Sequence, residues 1–478
     1  MSPLLPALRT ADRKEALRFG EHSLTYAELA GAAGALAGRL AGAGRVAVWA
    51  TPSPETVVGV VAALLAGVPA VPLNPKTGER ELAHILADSA PTAVLAAPDA
   101  SLPSALEALT RIDVRTTAEP GAELPAAGPV PAEPDPDAPA FVVYTSGTTG
   151  PPKGAVLPRR AVAVTLDALA EVWAWTDRDV LVHALPLFHV HGLILGVLGP
   201  LRRGGSVRHL GRFSVEGVAR ELSAGATMLF GVPTMYHRIA ESLDTDRELA
   251  KALAGARLLV SGSAALPVHD HRRIEAATGR TVIERYGMTE TLMNTSVRVD
   301  GEPRPGTVGV PLPGVELRLA EESDGIGEIQ VRGPHLFIGY LNRPDATAAA
   351  FTEDGWFRTG DMASLDADGY VRIVGRRATD LIKSGGYKIG AGEIENALLD
   401  HPAVREAAVT GEPDADLGER IVAWVVAADP QAPPSAEELA AHVAGQLSPH
   451  KRPRTVRFLQ ALPRNDMGKI MKRELGNG

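Results

Sequence analysis

Between residues 24 and 115 the chain alternates helix-period apolar segments with short apolar runs: LTYAELAGAAGALAGRL, then RVAVWA, then residues 57–73, then TAVLAA. This rhythm demands helices packed on the faces of a sheet and constrains the fold to a layered α/β class. At 478 residues a single core is too small for the chain, so two or more domains are expected. The longest uncharged apolar stretch, 57–73, contains Gly59, Gly67, Pro69 and Pro72 and reads as a buried helix followed by a strand. A membrane span needs about 20 apolar residues, and the N-terminus has no apolar run of signal-peptide length. Cytoplasmic localisation is the expectation. The net charge of −9 repels nucleic acid and anionic membrane, which removes both from the expected partners. With no cysteine, disulfides, cysteine-ligated metals and a thioester on the enzyme's own thiol are excluded.

Residues 117–139 are rich in proline, alanine and acid and read as an irregular surface connection. Further α/β units run to about residue 295. From 306 to 374 the strands are short and punctuated by Gly and Pro (GVELRLA, GEIQVRG, GYVRIVG), which predicts a small antiparallel sheet or β-barrel-like part. After the polar, glycine-bearing segment 375–390 come a helix (AGEIENALLDH), two strands and a second helix (AEELAAHVAGQLS). The expected organisation is therefore a large α/β domain over 1–375, a hinge at 376–380 and a small α+β domain over 381–478.

The most informative stretch is FVVYTSGTTGPPKG at 141–154. Four apolar or aromatic residues form a strand, and the chain then breaks into hydroxyls and glycines. Thr145, Ser146, Thr148 and Thr149 offer side-chain donors, Gly147 and its neighbours let backbone amides turn toward an anion, and Lys153 adds a mobile charge. Such a loop suits a polyphosphate. It is not a Walker A loop, because Lys153 lies between Pro152 and Gly154 rather than in Gly-Lys-Ser/Thr order. Four of the nine lysines (Lys153, Lys383, Lys388, Lys469) sit in glycine-rich segments of a chain with 39 arginines, where lysine persists at points a planar guanidinium cannot serve.

The string YTSGTTGPPKG resembles the phosphate loop of the adenylate-forming enzymes: acyl-CoA synthetases, stand-alone adenylation domains and beetle luciferases. Three further motifs extend the resemblance. In ERYGMTET (284–291), preceded by LLVSGSAALP, the resemblance implies adenine contacts from Ser263, Ala264, Ala265, Glu284, Tyr286, Gly287 and Met288, a phosphate-binding Thr289, and Glu290 as the ligand of Mg²⁺. In GWFRTGD (355–361), Asp361 and the downstream Arg376 are placed on the ribose. In PRNDMGKIMKREL, Lys469 is the lysine that reaches the reacting carboxylate and the α-phosphate, where a cation stabilises the transition state over the ground state.

The resemblance covers residues 144–469 and implies a reaction. ATP, with Mg²⁺, and a carboxylate give an acyl-adenylate and pyrophosphate, and the thiol of CoA then displaces AMP. It also implies that the small domain rotates between the half-reactions, carrying Lys469 out and SGGYKIG in, with Ser384, Gly385 and Gly386 leaving room for a pantetheine arm. The hinge departs from the family pattern by one extra residue, so the torsion falls on Ala378 or Thr379.

Arg285 precedes the Tyr-Gly of the adenine motif, a position that faces the tail of the acyl substrate in such enzymes. A fatty or aromatic acid offers no partner for a buried cation, whereas a short dicarboxylate does. His189 and His191 of PLFHVHG, with Ser261, add polarity to the same pocket, and these segments together resemble the malonyl-CoA synthetases within the family, whose substrates are malonate and often methylmalonate. Arg285 could instead pair with Glu284 at a strand end, and the two histidines could be metal ligands. The rival functions are another short-chain or aromatic acyl-CoA synthetase, a stand-alone adenylation enzyme loading a carrier-protein thiol, and a non-catalytic nucleotide-binding protein. Lys469 also reads as a site for a lysine acetyltransferase and deacetylase, since removing its charge removes its electrostatic contribution.

Overall fold

A computed structural model describes all residues except 1, 2, 11, 12, 117–131, 146–150, 324, 377–379, 386, 466, 467 and 476–478. Two sheets with helices between and around them organise the described residues of 3–312, with the later strand Gly339–Tyr340 added to the edge of the first. The first has seven strands among the described residues, in the order Gly339–Tyr340, Lys153–Pro158, Pro139–Thr145, Ala70–Leu73, Val46–Trp49, Ala93–Ala96, Thr110–Asp113. The second has nine, in the order Val310–Pro311, Thr295–Ser296, Val282–Tyr286, Leu258–Ser261, Met228–Gly231, Val180–His183, Ser206–His209, Glu15–Phe19, His22–Thr25.

The short uniformly apolar runs of the sequence are the parallel central strands, buried on both faces. Helix Pro54–Leu65 is buried at eleven of its twelve positions because it lies within the layers rather than on them. The expected helix-then-strand within 57–73 is therefore present. Helix Tyr26–Leu40 starts at a reciprocal cap, with Thr25 Oγ1 accepting from Glu28 N and Glu28 accepting from Thr25 N.

The segment expected to be antiparallel forms an open four-stranded sheet, Glu316–Ser323, Ile326–Arg332, Phe357–Leu365, Val371–Arg376. The C-terminal part is an α+β unit. Strands Leu381–Ser384, Tyr387–Gly390, Val404–Asp414, Gly418–Ala427 and Thr455–Phe458 carry helices Ala391–Leu399 and Ala436–Gln446, and the unit has its own apolar core. The hinge candidates Ala378 and Thr379 lie outside the described residues. On their C-terminal side, Asp380 accepts from Arg376 N at 3.2 Å, and its backbone N–H donates to Arg376 O at 2.8 Å.

His189 precedes, as its extended cap residue, and His191 lies within the first turn of a wide, π-type helix, Val190–Leu198. VHGLILGVL is apolar at almost every position, so it carries no period that separates helix from strand. All nine residues are buried, and π-type turns gather at functional sites.

Candidate active site

The four motifs converge where the two large sheets, the antiparallel sheet and the C-terminal unit meet. Thr145 closes one strand of a hairpin and pairs with Lys153 on the other, its hydroxyl 3.4 Å from Lys153 O. Ser146, Gly147, Thr148 and Thr149, between those strands, lie outside the described residues. Lys153 Nζ sits 4.3 Å above the Tyr340 ring.

Strand Val282–Tyr286 supplies three functional positions with different surroundings. Glu284 is buried, with Oε1 accepting from Leu266 N at 2.9 Å and Oε2 contacting His271 Nε2 at 3.0 Å. Both oxygens are thus held by the protein, and Glu284 fixes the 262–266 turn rather than presenting a free carboxylate to adenine. Tyr286 donates to Asp361 Oδ2 at 2.6 Å, and Arg376 Nε lies 3.0 Å from Asp361 Oδ1. Asp361 and Arg376 are direct cross-strand partners, so the register of the antiparallel sheet sets this pair. Burial raises the Asp361 pKa, with Arg376, Tyr286 and Lys469 opposing it. Gly287 is obligatory: a Cβ there would lie 1.9 Å from Leu292 O. Beyond it Met288 and Thr289 are half-buried and Glu290 is buried. Ser263, Ala264 and Ala265 are exposed, with Ser263 in the left-handed region at φ 74°. Such a conformation in a non-glycine residue is characteristic of ligand-binding turns.

Arg285 faces away from Glu284 and makes no salt bridge among the described residues, which removes the pairing considered from sequence. It is 5% exposed, and among the described residues its Nε and Nη2 have no hydrogen-bond partner. Its guanidinium lies flat on Gly262, where a Cβ would come within 2.3 Å of Cζ. Burial lowers its pKa to about 10. Beside it His191 Nε2 also lacks a hydrogen-bond partner among the described residues, as does Ser261 Oγ, which starts from the register position opposite Glu284. His191 Nδ1 lies 3.4 Å from Ser263 Oγ, and burial, followed by the charge of Arg285, drives its pKa well below the usual histidine value. A buried cation with unpaired nitrogens beside an unpaired imidazole nitrogen marks a candidate anion site. His189 is half-buried and packs on Phe188 with ring centroids 4.5 Å apart. No group of three or more His, Asp or Glu capable of holding a metal exists among the described residues. A metal centre on His189 and His191 therefore finds no further ligands there.

Glu290 suits a cation differently. Its Oε1 accepts from Tyr340 at 2.7 Å, and among the described residues its Oε2 takes no hydrogen bond. A single free carboxylate oxygen fits Mg²⁺ held chiefly by phosphates and waters.

From the C-terminal unit, Lys469 reaches the same place. It is exposed over much of its surface, yet the protein crowding its ammonium lowers its pKa. Arg376 acts in the same sense, and Asp380 and Asp361 act against it. Asn465 Oδ1 accepts from its backbone at 2.9 Å, and a Cβ on Gly468 would lie 2.9 Å from Thr234 Oγ1, so the loop rests on the large domain. Ser384, at the end of a strand of the C-terminal sheet, is buried and Gly385 takes φ 58°, while Gly386 lies outside the described residues. Sequence reading missed Tyr340, the buried His183 and His209 beneath His191, and Lys472. Lys472 bridges Asp380 at 3.1 Å and Glu395 at 2.7 Å. Only three-dimensional proximity marks them.

Two family models match, the AMP-binding enzyme over residues 6–341 and the AMP-binding enzyme C-terminal domain over 393–469. A malonate–CoA ligase of Arabidopsis thaliana is 39% identical over 92% of this chain and 78% of its own. A sulfoacetate–CoA ligase of Cupriavidus necator is 38% identical over 95% and 92%. Among solved structures, a malonyl-CoA ligase ternary product complex with methylmalonyl-CoA and AMP is 75% identical, covering 96% of this chain and 100% of that one, with a TM-score of 0.75. ATP-bound MatB from Rhodopseudomonas palustris is 34% identical over 99% and 98%, with a TM-score of 0.89.

Proposed function

The chain belongs to the AMP-binding enzyme family, and from that premise we propose that it joins malonate, with methylmalonate as a second substrate, to coenzyme A at the expense of ATP. One substrate carboxylate oxygen attacks the α-phosphorus of ATP, the bond to the β-phosphate breaks, and pyrophosphate leaves. The CoA sulfur then attacks the carbonyl carbon of the malonyl-adenylate, its proton is lost to solvent, and AMP leaves with the bridging oxygen.

The observation that carries the acid assignment is the buried Arg285 guanidinium with two unpaired nitrogens. A second carboxylate on the substrate supplies the missing partner, and a charge-assisted pair contributes about 1.5–3 kcal/mol. His191, held neutral, and Ser261 are assigned to the acyl substrate without adding a competing charge. Lys469, Thr289 and the hairpin around Lys153 are assigned to the phosphates, and Tyr286, Asp361 and Arg376 to the nucleoside. In the assigned Mg²⁺ position Glu290 Oε2 is the protein ligand, and the ion would supply charge neutralisation between phosphate oxygens. Ser384 and Gly385 are assigned to the pantetheine path. The domain limits of 1–375 and 381–478, with the pivot at Ala378 or Thr379, belong to the same reading.

Sulfoacetate is the second reading, because a sulfonate also answers Arg285, and a relative named for that acid is as similar as the plant enzyme. Pyrophosphate release with malonate, methylmalonate, sulfoacetate, acetate and benzoate, with and without CoA, tests the proposal. Malonate is expected to lead. Acetate equal to malonate overturns the role of Arg285, and CoA-independent completion of turnover overturns the thioester product.

No helix among the described residues is long and apolar enough to cross a membrane. Cytoplasmic action, and control by a lysine acetyltransferase and deacetylase at the exposed Lys469, complete the proposal. Fractionation tests the first. Mapping acetyl-lysines against activity tests the second, and full activity with Lys469 fully acetylated sinks it.

A further inference from the structure

The short segment from Leu336 to Leu341, which carries none of the four motifs, ties two separate parts of the nucleotide site together. Its backbone holds the phosphate hairpin: Gly339–Tyr340 pairs antiparallel with Val156 and Ala155, and Leu341 N donates to Gly154 O at 2.7 Å. The same backbone holds the adenine motif, since Phe337 N donates to Glu290 O at 2.9 Å. At the centre stands Tyr340. Its hydroxyl donates to Glu290 Oε1 at 2.7 Å, and Lys153 Nζ lies 4.3 Å above its ring. The ring has little freedom, because Tyr340 N donates to Thr347 Oγ1 at 2.8 Å and Phe337 meets it edge-on at 5.0 Å.

We propose that Tyr340 is a positioning residue that presets both charged groups of the phosphate site. This rests on the assignment of Glu290 and Lys153 to Mg²⁺ and phosphate given above. With Oε1 engaged by the phenol, the carboxylate is held in one orientation, and Oε2 is the oxygen that would be free to hold the cation. A carboxylate so oriented loses less rotational freedom on binding than one that must be found and turned. The ring face meanwhile gives the Lys153 ammonium a weak resting place, one that a triphosphate outcompetes. The two halves separate chemically: the hydroxyl serves the carboxylate and the ring serves the lysine.

ATP binding to the full chain without any carboxylic acid, so that no turnover occurs, reads both halves by calorimetry with Mg²⁺ or with EDTA. Tyr340→Phe keeps the ring. It is expected to lower the Mg²⁺-dependent gain in ATP affinity by about tenfold, the usual scale for losing a group that orients a metal ligand, with the fold retained and metal-free affinity falling less than that gain. Tyr340→Leu is expected to lower metal-free affinity as well. A Phe variant whose Mg²⁺-dependent gain stays within about twofold of the parent overturns the hydroxyl's role. A folded Leu variant with unchanged metal-free affinity overturns the lysine seat. Should the Leu variant not fold, Tyr340→Trp preserves an aromatic face while removing the hydroxyl; metal-free affinity falling with it as far as the Mg²⁺-dependent gain overturns the separation. Malonate-dependent pyrophosphate release by the parent protein keeps the two readings apart. A parent that binds Mg²⁺–ATP and ignores malonate removes the substrate assignment and leaves Tyr340's role standing.

Discussion

Arg285 is costly to the free protein, since a buried guanidinium with unpaired nitrogens has lost water without gaining a partner. Replacing it with leucine removes that cost along with the anion site. Arg285→Leu is therefore expected to reduce kcat/KM for malonate by about 10- to 150-fold or more, the equivalent of about 1.5–3 kcal/mol, while the melting temperature holds or rises. Malonate should raise the melting temperature of the parent and leave the variant's unchanged; malonate turnover within a few-fold of the parent would refute the assignment. Gly262 gives a second test at this scale. A methyl there would displace the guanidinium, so Gly262→Ala is expected to resemble the loss of Arg285 on malonate without matching loss of ATP binding, and equal turnover would show that the close contact is dispensable. Arg285 was legible in the sequence because it adjoins the Tyr-Gly of a recognisable motif. The engagement of Glu284 was not, because its partners, Leu266 and His271, lie 18 and 13 positions away and are brought in only by the turn and helix.

At the scale of elements, the wide helix Val190–Leu198 and strands Val180–His183 and Ser206–His209 bring three histidines under the acyl wall. The His183 and His209 rings meet at 4.7 Å, and Phe19 stacks on His209 at 4.9 Å. Burial drives the pKa of all three down, His209 to about 4, so the native protein keeps them neutral where the unfolded chain, near 6.5, binds protons. The sign follows: their contribution is fully present above about pH 6.5 and is lost as pH falls from there toward 4. Each adds a slope of up to about 1.4 kcal/mol per pH unit. His237 has the opposite sign. Its pKa is raised, with Asp270 the leading cause, so its contribution is present below about 6.5 and lost above its folded value. Denaturation at pH 7.5, 6.5 and 5.5 should therefore show stability falling on the acid side with proton uptake on unfolding, and a flat profile would mean that the three histidines are not held neutral. The sequence marks these strands only as part of the further α/β units up to about residue 295, and the histidine cluster not at all, since its members come from two neighbouring strands and a helix that no local period brings together.

At the scale of the molecule, the two solved relatives stand in opposite orders by identity and by superposition: the more identical chain superposes less well over its whole length. Sequence divergence alone works the other way, whereas a rotation of one body against another lowers a global superposition without changing either fold, and the less well superposed relative carries a thioester product and AMP. Shear or hinge motion of this type needs little change within each domain. In the present arrangement Lys469 lies among Arg376, Asp361 and Asp380, and its loop rests on Thr234. Polar, glycine-bearing composition marks the expected boundary near 376–380; the resting place of Lys469 has no such mark, because it depends on how two separately folded units dock. A cation needed only while negative charge accumulates at the α-phosphorus should matter to one half-reaction. Lys469→Ala is expected to slow malonyl-adenylate formation by about 10²-fold or more, the scale of losing one charged stabiliser of a transition state, and to leave thioester formation from presynthesised malonyl-adenylate within a few-fold of the parent. Pyrophosphate release reads the first step and CoA consumption the second, on the same preparation. Equal losses in both would mean that Lys469 holds the fold or the docking together rather than serving the first chemical step.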